Sequence, residues 1–378
     1  MIFTIVIFLI VLSILVFVHE LGHFLVAKRS GMKVHEFGFG FPPRIFGIQK
    51  TSAEEGGKWK IVWGNRTKSD ETVYSINYIP LGGFVKIEGE DNDSVGEQSF
   101  VNKSFWPRFL TLVAGVVMNF VLACLLLSIG FMAGLPVAVN DISEIPKGAT
   151  FTNEHVVILE IQPDSIASKA GLEPSDIINN IDGQTFQSIE NVQSYIKERK
   201  GQELSFDVQR VNEQKTVKVK TSEDPNAIVG IGLAIYGKAK FAFFPAIYEG
   251  TKTAFDQLKS IATGLFALFS RGDGIESLGG PVKIAQLTGQ VADMGIIPLL
   301  QFSAFLSLNL ALLNALPFPA LDGGRIFFLL IETVRRKKNN PKIEQYANAI
   351  GFMVLLLLML VISVRDVSQL EVVRHLFK

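Results

Sequence analysis

Val18-His19-Glu20-Leu21-Gly22-His23-Phe24 sits at the inner end of an apolar run that begins at Ile2. In a helix, residues four apart share a face, so His19 and His23 project together, with Glu20 directly after the first. This is the H-E-x-x-H arrangement, in which two imidazoles hold zinc and the carboxylate works on water. Two hydrogen-bonded interior histidines would be an equally ordinary reading in a soluble chain. Inside a bilayer a central ionisable residue costs about 2.5–3.5 kcal/mol on insertion scales, so such a group is functional by default. Two histidines and a glutamate without a shared ligand would be an expensive accident there.

The run around the motif is about 23 residues long, enough to span a bilayer. Met1-Ile2-Phe3 carries no basic residue and no small-residue cleavage site follows, so the segment reads as a retained helix rather than a signal peptide. We place a first transmembrane helix at residues 1–27, ahead of Lys28-Arg29. The chain's 378 residues leave room for two or three domains. An apolar fraction of 48% and a mean hydropathy of +0.32 are high for a soluble protein, and the excess lies in a few segments. Lys+Arg and Asp+Glu both number 36, so nothing in the net charge points to nucleic acid. The single cysteine, Cys124, excludes an internal disulfide framework.

Residues 28–108 change character. Glu36-Phe37-Gly38-Phe39-Gly40-Phe41-Pro42-Pro43-Arg44 alternates glycine with aromatics before two prolines, which suits extended chain. After a polar loop over 51–70, Val73-Tyr74-Ser75-Ile76-Asn77-Tyr78-Ile79-Pro80 alternates as a strand and continues through Ile87 after a turn. A small β-sheet at the membrane surface accounts for this; an ordinary soluble loop domain fits the alternation equally well. An acidic loop over 88–97 leads to Trp106 and Arg108, interface anchors for a second span at 109–135, in which Asn119 is a polar exception.

Residues 150–236 read as a separate α+β domain. Val156-Val157-Ile158-Leu159-Glu160-Ile161 is a strand, Pro163 to Leu172 follows the pattern xPxSxAxxAGL, and Asp176-Ile177-Ile178-Asn179-Asn180-Ile181-Asp182-Gly183 follows xxxDxIxxIxG. A helix at 189–200 and strands at 204–210 and 215–220 complete it. This order resembles a circularly permuted bacterial PDZ domain, with Ser175 where that family usually has glycine. Such a domain can add an extended peptide as a strand, or it can simply occupy space.

Residues 241–292 read as an amphipathic membrane-surface segment: Phe241 to Phe269 is apolar but broken by Glu249, Lys252, Asp256 and Lys259, which fits a helix along the membrane and fits a packed surface helix nearly as well, and Gly279-Gly280-Pro281 then opens a short, mostly apolar region reaching Ala292. A third span is expected at 296–325, containing Asn309, Asn314, Pro317 and Pro319 and ending Ala320-Leu321-Asp322-Gly323-Gly324-Arg325. Arg335-Arg336-Lys337-Lys338 precedes a fourth span at 346–364. The positive-inside rule puts these basic residues and Lys28, Arg29 and Lys33 in the cytoplasm, and therefore both termini and the PDZ-like domain outside. His19 and His23 then lie about 26–32 Å along span one, near the cytoplasmic face. Asp322 reaches a similar depth by a different span. A catalytic zinc takes three protein donors and keeps one position open, and a carboxylate is a normal donor. Asp-Gly-Gly alone would be a helix-terminating turn; beside the histidines, Asp322 is the candidate third ligand. His35, His155 and His375 lie in polar or terminal contexts and receive no role.

Val18 to Phe24, Pro80-Leu81-Gly82-Gly83-Phe84-Val85-Lys86 and Asn314-Ala315-Leu316-Pro317-Phe318-Pro319-Ala320-Leu321-Asp322-Gly323 together resemble the site-2 protease family of intramembrane zinc metalloproteases, in its bacterial branch containing the regulator-of-sigma-E protease. The resemblance covers nearly the whole chain. It departs at Ala114-Gly115-Val116, where the family usually has proline after the glycine. It implies a multi-pass α-helical membrane protein of about four transmembrane helices, a membrane-associated β-hairpin region and one inserted PDZ-like domain. It implies Zn2+ held by His19, His23 and Asp322, Glu20 as the catalytic carboxylate, and Asn314 on the substrate backbone. The implied substrates are transmembrane segments of single-span proteins in the bacterial inner membrane, of anti-sigma factor or remnant signal peptide type, with the PDZ-like domain as a possible filter. Two other classes compete. A membrane metal carrier would use the same ligands but needs polar groups at several depths, which spans two and four lack; a catalytically silent PDZ-bearing scaffold would have no need of Glu20.

Overall fold

The computed structural model describes residues 2–51, 56–64, 70–90, 96–141, 144–146, 148–210, 213–222, 229–271 and 279–368. His375 and parts of the polar and acidic loops lie outside these residues. In chain order, α1 (Ile2–Arg29) is followed by β1 (Val34–Lys50), β2 (Trp59–Trp63), β3 (Val73–Ile87) and α2 (Phe105–Ala133). Next come β4 (Leu135–Val139), β5 (Thr150–Ile161), α3 (Ile166–Ala170), β6 (Ile177–Ile181), α4 (Ile189–Glu198), β7 (Glu203–Arg210), β8 (Glu213–Lys220) and β9 (Ile231–Lys240). The chain continues with α5 (Phe243–Arg271), α6 (Pro281–Asp293), α7 (Ile296–Ala315), α8 (Asp322–Arg335) and α9 (Pro341–Ser368). It divides into two compact units, one of Met1–Leu127 with Gly250–Lys378 and one of Ser128–Glu249. Among the described residues, α1, α2, α7 and α9 are long and apolar enough to cross a membrane.

In the first unit, glycine sets how closely the helices approach. A Cβ at Gly22 would collide with the backbone of Ala114, so α1 and α2 touch at this level only because neither turn carries bulk there. Val11 and Leu15 of α1 pack with Leu122 of α2 above it, and Phe24 and Ala27 share a core with Leu112 of α2 and Leu329 of α8 below it. Phe24 also stacks on Phe37 of β1 at 4.6 Å between ring centres, which ties the sheet to α1.

That sheet differs from a plain hairpin. β1 and β3 each bend, so that residues 34–39 of β1 pair on one side with 83–87 of β3 and on the other with 73–76. The second half of β1 pairs with β2, a strand that lies within the expected polar loop over 51–70. Trp59-Lys60-Ile61-Val62-Trp63 escaped notice because it is short and carries only one buried side chain, Val62. The bend of β3 is pinned to the middle of α1. Ser13 Oγ donates to the Pro80 carbonyl at 3.0 Å and accepts from the Gly82 amide at 3.1 Å. Ser13 lies about 24 Å from the Arg29 end of α1, so extended backbone bound to α1 reaches far along the span.

The expected third span at 296–325 is two helices. α7 ends at Ala315, Leu316 turns to extended backbone (φ −65°, ψ 140°), Ala320 adopts φ +76°, and α8 starts at Asp322. Pro317 and Pro319 cannot donate to a continuing helix, and a Cβ at Gly323 or Gly324 would strike the carbonyls of Leu316 or Phe318. The segment 241–292 forms α5 and then α6, which starts at Pro281 after the Gly279-Gly280 pair. α5 buries Ala246 and Ala254 and exposes Lys252, Asp256 and Lys259.

The second unit is a six-stranded antiparallel sheet in the order β4-β9-β5-β6-β7-β8. Its core joins Val156 and Ile158 of β5 to Ile178 and Ile181 of β6, Val192 and Ile196 of α4, and Leu204, Phe206 and Val208 of β7. Ser165 and Ser188 cap α3 and α4 by accepting from the amides of Ser168 and Asn191. β4 begins at Leu135, which had been assigned to the end of span two, and β9 extends the domain past Tyr236 to Lys240. Ser175 stands at φ +74°, a conformation that explains a preference for glycine there. Beside it, fully buried Asp176 receives Arg210 Nε and Nη2 at 2.7 and 2.8 Å.

Candidate metal centre

Three side-chain atoms converge between α1 and the start of α8. His19 Nε2 and Asp322 Oδ2 are 2.9 Å apart, His23 Nε2 and the same oxygen 3.3 Å, and the two Nε2 atoms 3.2 Å. Both histidines are 6% exposed, so this triangle is closed to bulk water. Donors about 2.0–2.1 Å from a tetrahedral zinc stand about 3.4 Å from one another. Asp322 Oδ2 is buried and makes no hydrogen bond, an orphan that a cation would satisfy. The donor set of two imidazoles and one carboxylate therefore fits zinc in both size and chemistry.

The rings are oriented from behind. Thr111 O lies 2.7 Å from His23 Nδ1. A carbonyl can only accept, so that nitrogen donates, and His23 Nε2 keeps its lone pair toward Asp322. At His19 the corresponding neighbour is the Asn119 amide, 3.2 Å from Nδ1. Asn119 is fully buried and its Oδ1 has no partner. Turned so that the carbonyl faces the ring, it accepts from Nδ1–H and leaves Nε2 free to donate its lone pair. Ser307 Oγ of α7 donates to the backbone carbonyl of Asn119 at 2.8 Å, which fixes this turn of α2. The space for the rings is made by Gly115, where a Cβ would sit 2.5 Å from His23 Nε2 and 2.7 Å from His19 Cε1.

Glu20 belongs to the same cluster, with its carboxylate and the two histidine nitrogens within 4.8 Å of one another. Two carboxylates, Asp322 and Glu20, thus face the same pair of imidazoles. Asn314, in the last turn of α7, places Nδ2 3.4 Å from His19 Nε2. All five expected site residues thus meet in one place. His35, 3.6 Å from Glu88, and the exposed His155 of β5 stand apart from it. The positioning groups Thr111, Asn119 and Gly115 were not assigned roles from sequence. Asn119 was visible there as a lone amide in an apolar span; a backbone carbonyl and a glycine leave no comparable trace.

The chain matches Peptidase family M50 over residues 7–63 and 57–358. It is 30% identical to the zinc metalloprotease RasP of Oceanobacillus iheyensis over 97% of this chain and 99% of that one. It is 29% identical, with the same coverage, to the regulator of sigma-W protease RasP of Bacillus subtilis. A candidate zinc metalloprotease of Clostridium perfringens is 34% identical over 95% of this chain and 97% of its own length. Among solved structures, the PDZ domain of an SdrC-like protein from Listeria monocytogenes is 25% identical, with a TM-score of 0.20, covering 22% of this chain and 92% of that one.

Proposed function

Because the chain belongs to peptidase family M50 and is a zinc metalloprotease of the site-2 type, we propose that it cuts the transmembrane segments of single-span proteins inside the bacterial plasma membrane. The observation that carries this reading is the convergence of His19 Nε2, His23 Nε2 and Asp322 Oδ2, with Glu20 adjacent, at the inner end of a membrane-crossing helix. His19, His23 and Asp322 would hold zinc, which supplies Lewis acidity toward a peptide carbonyl when bound. Glu20 takes a proton from the attacking water and returns it to the departing amine, as a positioned carboxylate can in a site closed to bulk solvent.

A helical substrate hides its carbonyls in its own hydrogen bonds, so it must unwind before attack. Asn314 offers an amide to the freed backbone beside His19, and the bent strands β1 and β3 bring extended chain to the same helix. The basic flanks put this site near the cytoplasmic face, with both termini and the 150–236 domain outside. That domain would filter or receive substrate ends. The substrates that fit are remnants of proteins already cut outside the membrane, of anti-sigma factor or signal peptide type.

Glu20→Gln tests the assignment. The purified variant should retain zinc at wild-type stoichiometry and fail to cleave a single-span substrate that the parent cleaves in a chelator-sensitive manner. Cleavage at the parental rate would remove Glu20 from the chemistry. Zinc uptake into liposomes without any cleavage by the parent would favour a carrier instead.

A further inference from the structure

Away from the metal centre, a cavity of about 270 Å3 opens between the first turn of α2 and the connection from α8 to α9. Five cations line it: Lys103 just before α2, Arg108 in the first turn of α2, and Arg336, Lys337 and Lys338 just after α8. Its one lining carboxylate is Glu332, and Arg108 occupies both of that group's oxygens, at 2.9 and 3.3 Å. Lys338 donates to the neutral Asn102 side chain at 3.1 Å. Among the described residues no carboxylate pairs with Lys103, Arg336 or Lys337. The cavity therefore carries a concentrated, uncompensated positive charge, which favours an anion.

The surroundings identify the kind of anion. Trp106, in the first turn of α2, is 65% exposed, and Val334, in the last turn of α8, is 84% exposed. Leu110 and Leu330 continue these two apolar surfaces one turn further along each helix and are also exposed. α2 and α9 are membrane-crossing helices that both begin beside the cavity, so it lies at the boundary between headgroups and hydrocarbon. A cation-lined hollow bordered by exposed apolar side chains matches an amphiphile with an anionic phosphodiester and acyl chains. A free phosphate would use the cations and have no use for the apolar border.

We propose that this cavity binds the headgroup of an anionic membrane phospholipid. The site rests on the membrane-spanning reading of α2 and α9 and is independent of proteolysis. It has a structural consequence for the metal centre, since α8 starts at Asp322 and ends at this cavity. A lipid phosphate bridging Lys103 to Lys337 and Lys338 clamps the far end of the helix that carries the proposed ligand.

The test is native mass spectrometry of the full-length protein in detergent with equal amounts of phosphatidylglycerol and phosphatidylcholine. The parent should retain one phosphatidylglycerol in preference to phosphatidylcholine by about tenfold or more, a preference expected from a few clustered cations. Lys103→Gln with Lys337→Gln and Lys338→Gln should abolish the preference while zinc content stays at the parental level, which shows that the variant folds. Lys197→Gln with Lys215→Gln and Lys218→Gln, removing equal charge elsewhere, should keep it. An unchanged preference in the first variant, or equal loss in the second, would overturn the site. Displacement of the lipid by millimolar inorganic phosphate would overturn the lipid assignment in favour of a free anion.

Discussion

Gly115→Ala adds a single methyl group and should empty the metal centre without unfolding the protein. The new carbon would stand 2.5 Å from His23 Nε2 and 2.7 Å from His19 Cε1. Non-bonded heavy atoms rest at about 3.5–4.0 Å, so both rings must retreat by about 1 Å. Metal–ligand distances tolerate about 0.2 Å. Disturbing only the groups behind a ligand already costs about 10–100-fold in metal affinity. Moving two ligands should cost at least the upper end of that range, about 3 kcal/mol. The helix itself is not at risk, because alanine is favoured over glycine in a helix interior by about 1 kcal/mol and the obstructed atoms belong to side chains, which yield at the expense of their contacts with Thr111 and Asn119. Zinc affinity is read by competition with a chromophoric chelator, and proteolysis with a single-span substrate. Gly264→Ala, where a Cβ would meet nothing within 4 Å, is the control and should match the parent in both. Parental zinc affinity in Gly115→Ala would refute the placement of α2 against the two imidazoles.

Three further outcomes are expected. Asp322→Ala should lower the zinc retained after dialysis well below one ion per chain, because only two imidazoles remain; undiminished zinc would remove Asp322 from the ligand set. Arg210→Ala strands the fully buried Asp176 carboxylate and should destabilise the 128–249 unit by about 3–5 kcal/mol, seen as faster hydrogen exchange along β6 and β7. Parental exchange there would show that water or another group compensates Asp176. Deleting residues 150–236 should permit cleavage of substrates not yet trimmed outside the membrane if the domain filters by size. Complete loss of cleavage would make the domain a structural or recruiting element.

The elements readable from sequence are those whose signal is local. Residues 2–29 announce themselves by unbroken hydrophobicity, and His19, Glu20 and His23 by a spacing that one helix imposes. Ser165, Gly171 and the DxIxxIxG spacing of 176–183 mark the second unit in the same way. What escaped depends on contacts between distant segments. β2 is a strand because β1 offers it an edge. β4 pairs with β9, about a hundred residues further on, and nothing in Leu135-Pro136-Val137-Ala138-Val139 foretells that partner. Thr111 serves the site through its carbonyl, a group every residue possesses. Gly115 was noticed for the missing proline after it, whereas its importance lies in the space it leaves for two rings.

The break between α7 and α8 shows why the expected single span could not have built this site. In one continuous helix, Asn314 and Asp322 would be separated by about 12 Å along the axis. Yet both side chains lie within 3.4 Å of the same nitrogen, His19 Nε2. The chain must therefore fold back within the intervening residues, and each of them has a part in that. Pro317 and Pro319 stop α7 from propagating. Ala320, in the left-handed region, reverses the direction and donates its amide to Asn348 Oδ1 of α9 at 3.1 Å. Gly323 and Gly324 let the first turn of α8 rest against the loop's own carbonyls, where any side chain would collide. Asp322 then stands at a helix N-terminus, whose dipole favours a carboxylate. The prolines, the strained alanine and the paired glycines are one device, and its product is the proposed third ligand beside two histidines from another span. The same device brings Asp322 to the level of the two histidines, where the depth argument from sequence expects it. Pro317 and Pro319 already mark irregular backbone before Asp322 in the sequence; what they do not reveal is that the backbone turns back and starts a second helix there.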